Sequence, residues 1–501
     1  MLPIEFFYKT ARAQPDSPAV IDGDRTLSYL ELQSRVDALA YGLQDIDPAP
    51  LSRVGICAYN HVDHVIAWLA TLAAEKTWVP LYPTSTASDL ETKIRFTQAS
   101  IVVADQAGLA KLGILDATVV PMGDAGHGTD HLTEQHLGRR PRRTYPSLND
   151  TQAIKFTGGT TGAPKGVMQP FRAWNTNIVT QIQCYGLCPG DRYLTAAPIT
   201  HGTSTYLMPT FAVGGTVVLT DRPKPEQTLD LMRRWEITTI FVPATVIYMM
   251  LANLGGAAPN TPALRNLIYG AGPVRPGEIA RAQAAVGPVV ASTYGQTEAP
   301  QIATHIKPDE LMDPDRRASV GRPTLLTDVR TMDADGRICR AGEEGEVVIR
   351  GDLVMSGYWR QPEKTAETIR DGWLRTGDIG VFDDQGFLFL KGRLKDMIIT
   401  GGFNVYPADV EPVIGEHPAV RDVAVFGAPD PKWGERVVAA VQLAEGRHAS
   451  PEELIKFTKE RIGSVMAPKD VRFYAELPRN AYGKLQKQTL IDDLGNTESS
   501  P

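Results

Sequence analysis

The sequence is poor in cysteine, in long apolar runs and in charge of one sign. Its 501 residues include four cysteines, Cys57, Cys184, Cys188 and Cys339, too few and too scattered for a disulfide framework. Cys184 and Cys188 lie close together, but the sequence lacks the second pair that would complete a zinc site. We therefore expect reduced thiols and a cytoplasmic protein.

Signals for membrane insertion and for nucleic-acid binding are also weak. The clearest apolar stretch, Val65 to Ala74, is far shorter than the roughly 20 residues that a membrane-spanning helix needs. The N-terminus has neither the basic start nor the apolar run of a signal peptide. Lys and Arg total 51 against 58 Asp and Glu, a net charge of −7 without a basic block. We expect no membrane span and no nucleic-acid partner, and a homodimer is compatible with the sequence.

Helix and strand patterns alternate along most of the chain. Apolar residues recur at helical spacing from Leu30 to Leu43, behind Ser28 and Glu31, which form a capping-box pattern. Short strand-like runs such as RVGICAY and TVVLT are separated by helical patterns, which predicts parallel sheets covered by helices. After about residue 320, Asp-Gly and Gly turns favour a β subdomain. A small α+β pattern follows a boundary near Arg393–Asp396.

The strongest local signal is a loop rich in glycine and threonine, TGGTTGAPKG, after the apparent strand AIKF. Its glycines let the backbone approach a ligand closely, while threonine hydroxyls and one lysine add donors and charge, which suits a polyphosphate. A flexible surface loop is the alternative. The pattern GxxxxGK[ST] cannot be aligned on it, so it is not a Walker A loop. The candidate ligand-binding residues are Thr157, Gly158, Gly159, Thr160, Thr161, Gly162 and Lys165.

The loop and four later motifs resemble those of one family. FTGGTTGAPKGVM is similar to the signature loop of the adenylate-forming (ANL) superfamily, although Gly159 stands where many members have serine. YGQTE at Tyr294–Glu298, WLRTGD ending at Asp378, GRLKD at Gly392–Asp396 and PRNAYGK ending at Lys484 resemble its later motifs, in its order. The resemblance covers about residues 10–490 and points to the acyl-CoA synthetase, or acid–thiol ligase, branch.

The resemblance implies roles around the nucleotide. Tyr294, beside Gly295, would stack on adenine, Thr297 would meet the phosphate, and Glu298 would hold Mg²⁺, for which a hard carboxylate oxygen is suited. Gly270, Ala271 and Gly272 resemble the short stretch beside nucleotide and acyl group.

The resemblance also assigns the end of the chain. Asp378 would bind both ribose hydroxyls, and Arg393 would lie near ribose and phosphate. Lys395 would be the hinge between a large N-terminal domain, residues 1–394, and a small mobile α+β C-terminal domain, residues 395–501. Lys484 would bridge the substrate carboxylate and the α-phosphate during adenylation.

Further residues would serve the acyl group and the thiol. By resemblance His201 would lie beside the acyl pocket and the path of the thiol, Gly401 and Gly402 would leave a slot for pantetheine, and Trp433 would lie near the CoA arm. Small residues after His201 suggest a roomy apolar pocket for a bulky or long-chain acid. A second histidine motif, His61-x-x-His64, fits an exposed helix face better than a metal site.

We therefore expect an ATP-dependent ligase that activates a hydrophobic carboxylic acid as acyl-AMP, with Mg²⁺, and transfers the acyl group to CoA. A hydrolase is not indicated, because the sequence has no GxSxG elbow. Two alternatives stay open. One is an enzyme that only adenylates, or that delivers its acyl group to a separate enzyme or carrier protein. The other is a nucleotide-binding pseudoenzyme.

Overall fold

The computed structural model describes residues 1–157, 164–221, 223–253, 260–272, 274–479 and 485–498. The chain forms two units. The larger comprises Met1–Val329 and Val348–Arg375, and the smaller comprises Arg330–Val347 and Thr376–Pro501.

Two of the longer helices begin at the capping boxes that the sequence contains. Ser28 Oγ accepts a hydrogen bond from the N–H of Glu31 at 3.2 Å, and Glu31 Oε2 accepts one from the N–H of Ser28 at 2.8 Å. The reciprocal pair starts the helix Tyr29–Ile46 as predicted. Ser450 starts the helix Pro451–Met466 in the same way.

The larger unit contains a nine-stranded sheet with six parallel strands at its centre. In spatial order its strands are Arg322–Pro323, Thr304–Ile306, Val290–Tyr294, Asn266–Gly270, Thr239–Pro243, Arg192–Leu194, Thr216–Leu219, Pro18–Asp22 and Arg25–Ser28. The six strands from Val290–Tyr294 to Pro18–Asp22 are parallel.

A seven-stranded sheet in the same unit carries the glycine-rich loop. Its strands, in spatial order, are Gly357–Tyr358, Gly166–Pro170, Thr151–Phe156, Thr77–Leu81, Arg53–Cys57, Ile101–Ala104 and Thr118–Pro121. The five strands from Thr151–Phe156 onward are parallel.

Helices surround these sheets, as expected for parallel strands that must be covered on both faces. They are Ile4–Ala13, Tyr29–Ile46, Val62–Ala73, Ala87–Thr97, Gln106–Leu109, Thr129–Gln135, Phe171–Tyr185, Ser204–Ala212, Pro225–Arg234, Ala244–Asn253, Pro276–Val286 and Pro362–Thr368. Trp68, Trp78 and Trp174 are fully buried and pack with ring centroids 6.0–6.2 Å apart.

The smaller unit has its own sheet and its own apolar core. Its strands Phe403–Val405, Ile398–Thr400, Gly434–Leu443 and Val420–Asp430 are antiparallel neighbours in that order, and Asp470–Phe473 adds to Gly434–Leu443 in parallel. The helices Pro407–Gly415, Pro451–Met466 and Lys487–Glu498 belong to this unit.

Further strands lie, in the sequence, between the strands of the larger unit's sheets and those of the smaller unit's sheet. They are Asp328–Met332, Glu344–Arg350, Ile369–Arg370, Trp373–Phe382 and Leu388–Arg393. The predicted α/β fold, with a large N-terminal part built on parallel sheets and a smaller C-terminal part, is confirmed. The boundary between residues 394 and 395, the hinge at Lys395 and the mobility of the C-terminal domain stay predictions.

Candidate active site

A hairpin holds the two ends of the glycine-rich loop together. The strand Thr151–Phe156 pairs with Gly166–Pro170, and the last pair joins Phe156 to Gly166. Thr157 and Lys165, the next residues on each side, therefore lie together at the open end of the hairpin. Five predicted phosphate-binding residues lie outside the described residues, namely Gly158, Gly159, Thr160, Thr161 and Gly162.

The predicted nucleotide residues of the large sheet lie at the carboxyl ends of neighbouring parallel strands. Gly270 ends one strand and Tyr294 ends the next, and ligands of open α/β sheets bind at this edge. A Cβ on Gly270 would lie 3.2 Å from the carbonyl oxygen of Thr293, so the two backbones approach closely. Ala271, at φ +62°, and Gly272 follow as exposed residues.

The YGQTE segment folds as a tight turn that fixes Glu298. A Cβ on Gly295 would lie 2.7 Å from the carbonyl carbon of Gln301, which leaves room for glycine alone. Gln169 Nε2 donates to the carbonyl oxygen of Thr297 at 2.8 Å. Tyr358 Oη donates to Glu298 Oε1 at 2.8 Å, which orients the half-buried carboxylate.

This carboxylate fits the chemistry of Mg²⁺. The ion is commonly held by one or two carboxylates together with substrate phosphates and water, so a single oriented Glu is sufficient protein ligand. Among the described residues, no group of three or more His, Cys, Asp and Glu side chains could form an all-protein metal site.

His201 lies in an irregular turn, Ile199–Thr203, that precedes the helix Ser204–Ala212. Its backbone, with φ −107° and ψ −141°, is not helical. The ring nitrogen Nδ1 lies 2.8 Å from Thr200 Oγ1, and the ring packs edge-on against Tyr82 at 5.0 Å between centroids.

Burial and nearby cations keep the His201 ring neutral. Burial is the largest cause and the charges of Lys155 and Lys93 add to it, together lowering the pKa of His201 to about 4. At neutral pH the imidazole is therefore uncharged and presents a polar but neutral group.

Phe241 and Gln301 connect His201 to the nucleotide strands, and the sequence motifs did not reveal them. A Cβ on Gly202 would lie 3.0 Å from Gln301 Oε1 and 3.6 Å from Phe241 Cε1, and a Cβ on Gly270 would lie 3.3 Å from Phe241 Cε2. The Phe241 ring thus lies between two glycines of separate segments.

An aromatic stack supports the Phe241 ring. Phe241 stacks on Tyr206 at 5.0 Å with an interplanar angle of 22°, and Tyr206 stacks on Tyr193 at 5.4 Å and 8°. Gln301 Nε2 donates to Tyr206 Oη at 2.8 Å. The surface that these rings form is therefore apolar and preorganised, and the Gln301 amide lies beside it. Its residues come from separate elements and form no short motif, so no local pattern could have identified them.

In the smaller unit, Asp378 of the WLRTGD motif and Arg393 of the GRLKD motif lie side by side. The resemblance assigns both residues to one nucleotide. They face each other across antiparallel strands, and Arg393 Nε lies 2.8 Å from Asp378 Oδ1. Asp378 is 7% exposed, and its N–H donates to Thr376 Oγ1 at 3.0 Å. Gly377, at φ +71°, provides the bend before the carboxylate.

The predicted thiol-slot residues also meet within the smaller unit. The N–H of Gly401 donates to the carbonyl oxygen of Trp433 at 2.8 Å, and a Cβ on Gly401 would lie 2.8 Å from Cε3 of that indole. Gly402, at φ +83°, faces open space. Trp433 is 43% exposed, and Lys395 is exposed on the turn Leu394–Asp396. Lys484 lies outside the described residues.

The expectation of an exposed face for His61-x-x-His64 is wrong for His64. This residue is fully buried and its Nδ1 lies 2.9 Å from the carbonyl oxygen of Tyr59. The helix Val62–Ala73 is apolar on nearly all sides and is covered all round. The four cysteines are free thiols, and no helix among the described residues is long and apolar enough to cross a membrane.

The chain belongs to the AMP-binding enzyme family, whose model matches residues 7–359, with the AMP-binding enzyme C-terminal domain matching residues 409–484. It is 31% identical over 497 residues to a medium/long-chain-fatty-acid–CoA ligase of Mycobacterium tuberculosis, covering 95% of this chain and 87% of the relative. It is 32% identical over 484 residues to a feruloyl-CoA synthase of an Amycolatopsis species, covering 96% of each.

Two solved structures show how closely the fold is shared. An amide bond synthetase of Marinactinospora thermotolerans superposes with a TM-score of 0.89 at 29% identity, covering 98% of this chain and 99% of that one. An O-succinylbenzoate–CoA synthetase of Bacillus subtilis in complex with ATP and magnesium ion has a TM-score of 0.86 at 27% identity, covering 97% and 98%. The predicted superfamily and the enzyme class, an AMP-forming acid–thiol ligase, are confirmed.

Proposed function

We propose that this enzyme activates a hydrophobic carboxylic acid with ATP and transfers the acyl group to CoA. The observation that carries the proposal is the convergence of Gly270, Gly202 and Gln301 around Phe241, directly beside the strand end that bears Tyr294. An apolar surface backed by stacked aromatic rings, at the sheet edge where such folds bind ligands, suits an acyl group that must react with the α-phosphate of ATP.

In the first half-reaction, a carboxylate oxygen of the acid attacks the α-phosphorus and pyrophosphate leaves. Positioning and charge neutralisation supply most of the catalysis of such a displacement. We assign neutralisation to Lys165 at the hairpin end and to Lys484. Glu298, oriented by Tyr358, would hold Mg²⁺, which supplies further positive charge beside the phosphates when bound.

In the second half-reaction, the thiol sulfur attacks the acyl carbonyl and AMP leaves with its phosphate oxygen. The adenylate is a mixed anhydride, so its leaving group is far better than the oxide of the original acid. We assign Asp378 and Arg393 to the ribose and phosphate, and Gly401, Gly402 and Trp433 to the pantetheine arm.

The acceptor has a second candidate. The close superposition on an amide bond synthetase favours an amine as the alternative attacking group, and a carrier-protein thiol is a further one.

We place the enzyme in the cytoplasm. A homodimer is compatible with this assignment.

A panel of fatty, aryl and polycyclic acids tests the proposal. Pyrophosphate release is measured with each acid, with and without CoA, and the products are identified by mass. We expect pyrophosphate release with hydrophobic acids and an acyl-CoA product when CoA is present. Acyl-AMP that accumulates in the presence of CoA and forms an amide with an added amine would identify the alternative acceptor. No pyrophosphate release with any acid would refute ligase activity on this class.

A further inference from the structure

A buried lysine outside every sequence motif contacts the turn that carries His201. Lys155 lies in the strand Thr151–Phe156 and is 7% exposed. Its Nζ lies 5.0 Å from the ring centroid of Trp78 and 5.3 Å from that of Trp174. No carboxylate of a described residue lies within 4.0 Å of Nζ as a salt-bridge partner. The two indole faces provide electrostatic compensation for the charge.

The hydrogen bonds of Lys155 converge on one carbonyl group. Nζ donates to Ser204 Oγ at 2.8 Å and to the carbonyl oxygen of His201 at 3.1 Å. Ser204 Oγ donates to the same carbonyl oxygen at 2.9 Å. The three groups form a closed triangle beneath the backbone of His201.

This triangle explains the irregular backbone. At ψ −141° the carbonyl group of His201 points away from the helix direction, so it cannot accept the usual bond from the N–H four residues later. A buried carbonyl without a partner is costly, and Lys155 and Ser204 provide the partners. The lysine therefore stabilises the one conformation in which the chain bends at His201 before the helix Ser204–Ala212 begins.

A buried ammonium is an expensive way to satisfy a carbonyl, because desolvating a charge costs far more than desolvating a neutral donor. Burial lowers the pKa of Lys155 to about 7, in keeping with that cost. A neutral donor would support the fold at lower cost, so the lysine points to a role in the site. The contacted turn places His201 against Tyr82 and Gly202 against Phe241 and Gln301.

We propose that Lys155 is a positioning residue that acts through His201: its amino group, through the two hydrogen bonds it donates, holds the turn Ile199–Thr203 in the conformation that presents the imidazole to the acyl site. This proposal rests on the proposed function, which places His201 beside the acyl group. It adds a residue that no motif indicated and links the strand before the phosphate loop to the wall of the acyl pocket.

The test compares Lys155→Met with a matched control, Lys76→Met. Lys76 is also a buried lysine, 1% exposed, whose Nζ donates to a serine hydroxyl, Ser52 Oγ, at 2.7 Å and to two carbonyl oxygens, but it lies outside the site. Misplacing a reacting group by about 1 Å costs up to roughly 100-fold. We expect acyl-CoA formation to fall about 10- to 100-fold in Lys155→Met, with the melting temperature unchanged or higher, and to stay at the wild-type rate in Lys76→Met.

A double variant separates positioning from a general structural role. If Lys155 acts through His201, Lys155→Met/His201→Ala should be no slower than His201→Ala alone, and Lys155→Arg, which keeps the donors, should recover part of the rate. Additive losses in the double variant, an equal loss in Lys76→Met, or a wild-type rate in Lys155→Met would each overturn the proposal.

A readout that needs no activity keeps this test distinct from that of the proposed function. The charge of Lys155 contributes to the low pKa of His201, after burial. In histidine-labelled protein, the NMR titration of His201 should therefore move to higher pH in Lys155→Met and stay in place in Lys76→Met. An unmoved His201 titration in Lys155→Met refutes the coupling of Lys155 to the His201 ring, and with it the proposal, whether or not any acid proves to be a substrate.

Discussion

Replacement of Asp378 by Asn tests the nucleotide assignment most directly, because the structure separates its effect on binding from its effect on stability. The substitution keeps the size of the side chain and removes the charge. The Asp378 carboxylate is nearly buried and is held at 2.8 Å by Arg393 Nε. The proposed ligand is the ribose diol of ATP.

The two effects differ in size. A hydrogen bond to a charged group contributes about 1.5–3 kcal/mol, which corresponds to roughly a 10- to 150-fold change in affinity. The Arg393 side chain is 42% exposed and stays hydrated when its partner is lost, so we expect the free energy of unfolding to fall by about 1 kcal/mol or less. Binding should therefore suffer much more than folding.

The assay is the ATP dependence of pyrophosphate release at saturating acid, with thermal unfolding measured in parallel. Asp383→Asn is a suitable control, because this carboxylate lies in the turn that joins the same two strands and caps the N–H groups of Gln385 and Phe387. We expect the KM for ATP to rise at least ~10-fold in Asp378→Asn and to stay unchanged in Asp383→Asn. An unchanged KM in Asp378→Asn, or an equal rise in both variants, would refute the ribose assignment.

Four further predictions follow from other parts of the site. Tyr358→Phe removes the hydroxyl that orients Glu298, so the Mg²⁺ concentration for half-maximal pyrophosphate release should rise about 10-fold or more; an unchanged Mg²⁺ dependence would remove Glu298 from the metal site. Gly401→Ala should slow acyl-CoA formation more than Gly402→Ala does, and acyl-AMP formation should be spared in both variants. Both positions have positive φ, but only at Gly401 would an added Cβ lie 2.8 Å from the Trp433 ring. Equal loss in the two glycine variants would point to backbone strain alone. Lys484→Ala should reduce adenylation at least ~100-fold while CoA still reacts with supplied acyl-adenylate, because Lys484 is assigned to the first half-reaction; equal loss of both half-reactions would contradict that assignment. The pKa of Lys155 falls from 10.5 in the unfolded chain to about 7 in the folded one, so the unfolded state binds the proton more tightly. The free energy of unfolding of wild type relative to Lys155→Met should therefore rise by up to ~1.4 kcal/mol per pH unit above pH 7. A flat difference between pH 7 and 9 in denaturant titrations would show that burial does not lower the pKa of Lys155.

The sequence by itself determined the chemistry that short segments carry. Capping boxes at Ser28 and Ser450 start their helices because the interacting groups are three residues apart, so no distant part of the chain is needed. The motifs YGQTE and TGGTTGAPKG are likewise short and were recognised without any distant part of the chain. Their order along the chain was enough to indicate the superfamily, and the alternation of strand and helix patterns was enough to indicate parallel sheets.

The tertiary structure alone decided which residues gather around Phe241 and which polar side chains are buried. Phe241, Gln301 and Gly202 come from three separate segments, and only the order of strands in the large sheet brings them into contact. His64 has a polar side chain, so its helix position suggested exposure, yet the helix is covered on all sides. Lys155 gave no signal at all, because a lone lysine in a strand is ordinarily solvated. Lys155 is buried because Trp78 and Trp174 pack against its side chain and the His201 turn packs against its amine. These neighbours are distant in the sequence, so a local pattern could not show the burial.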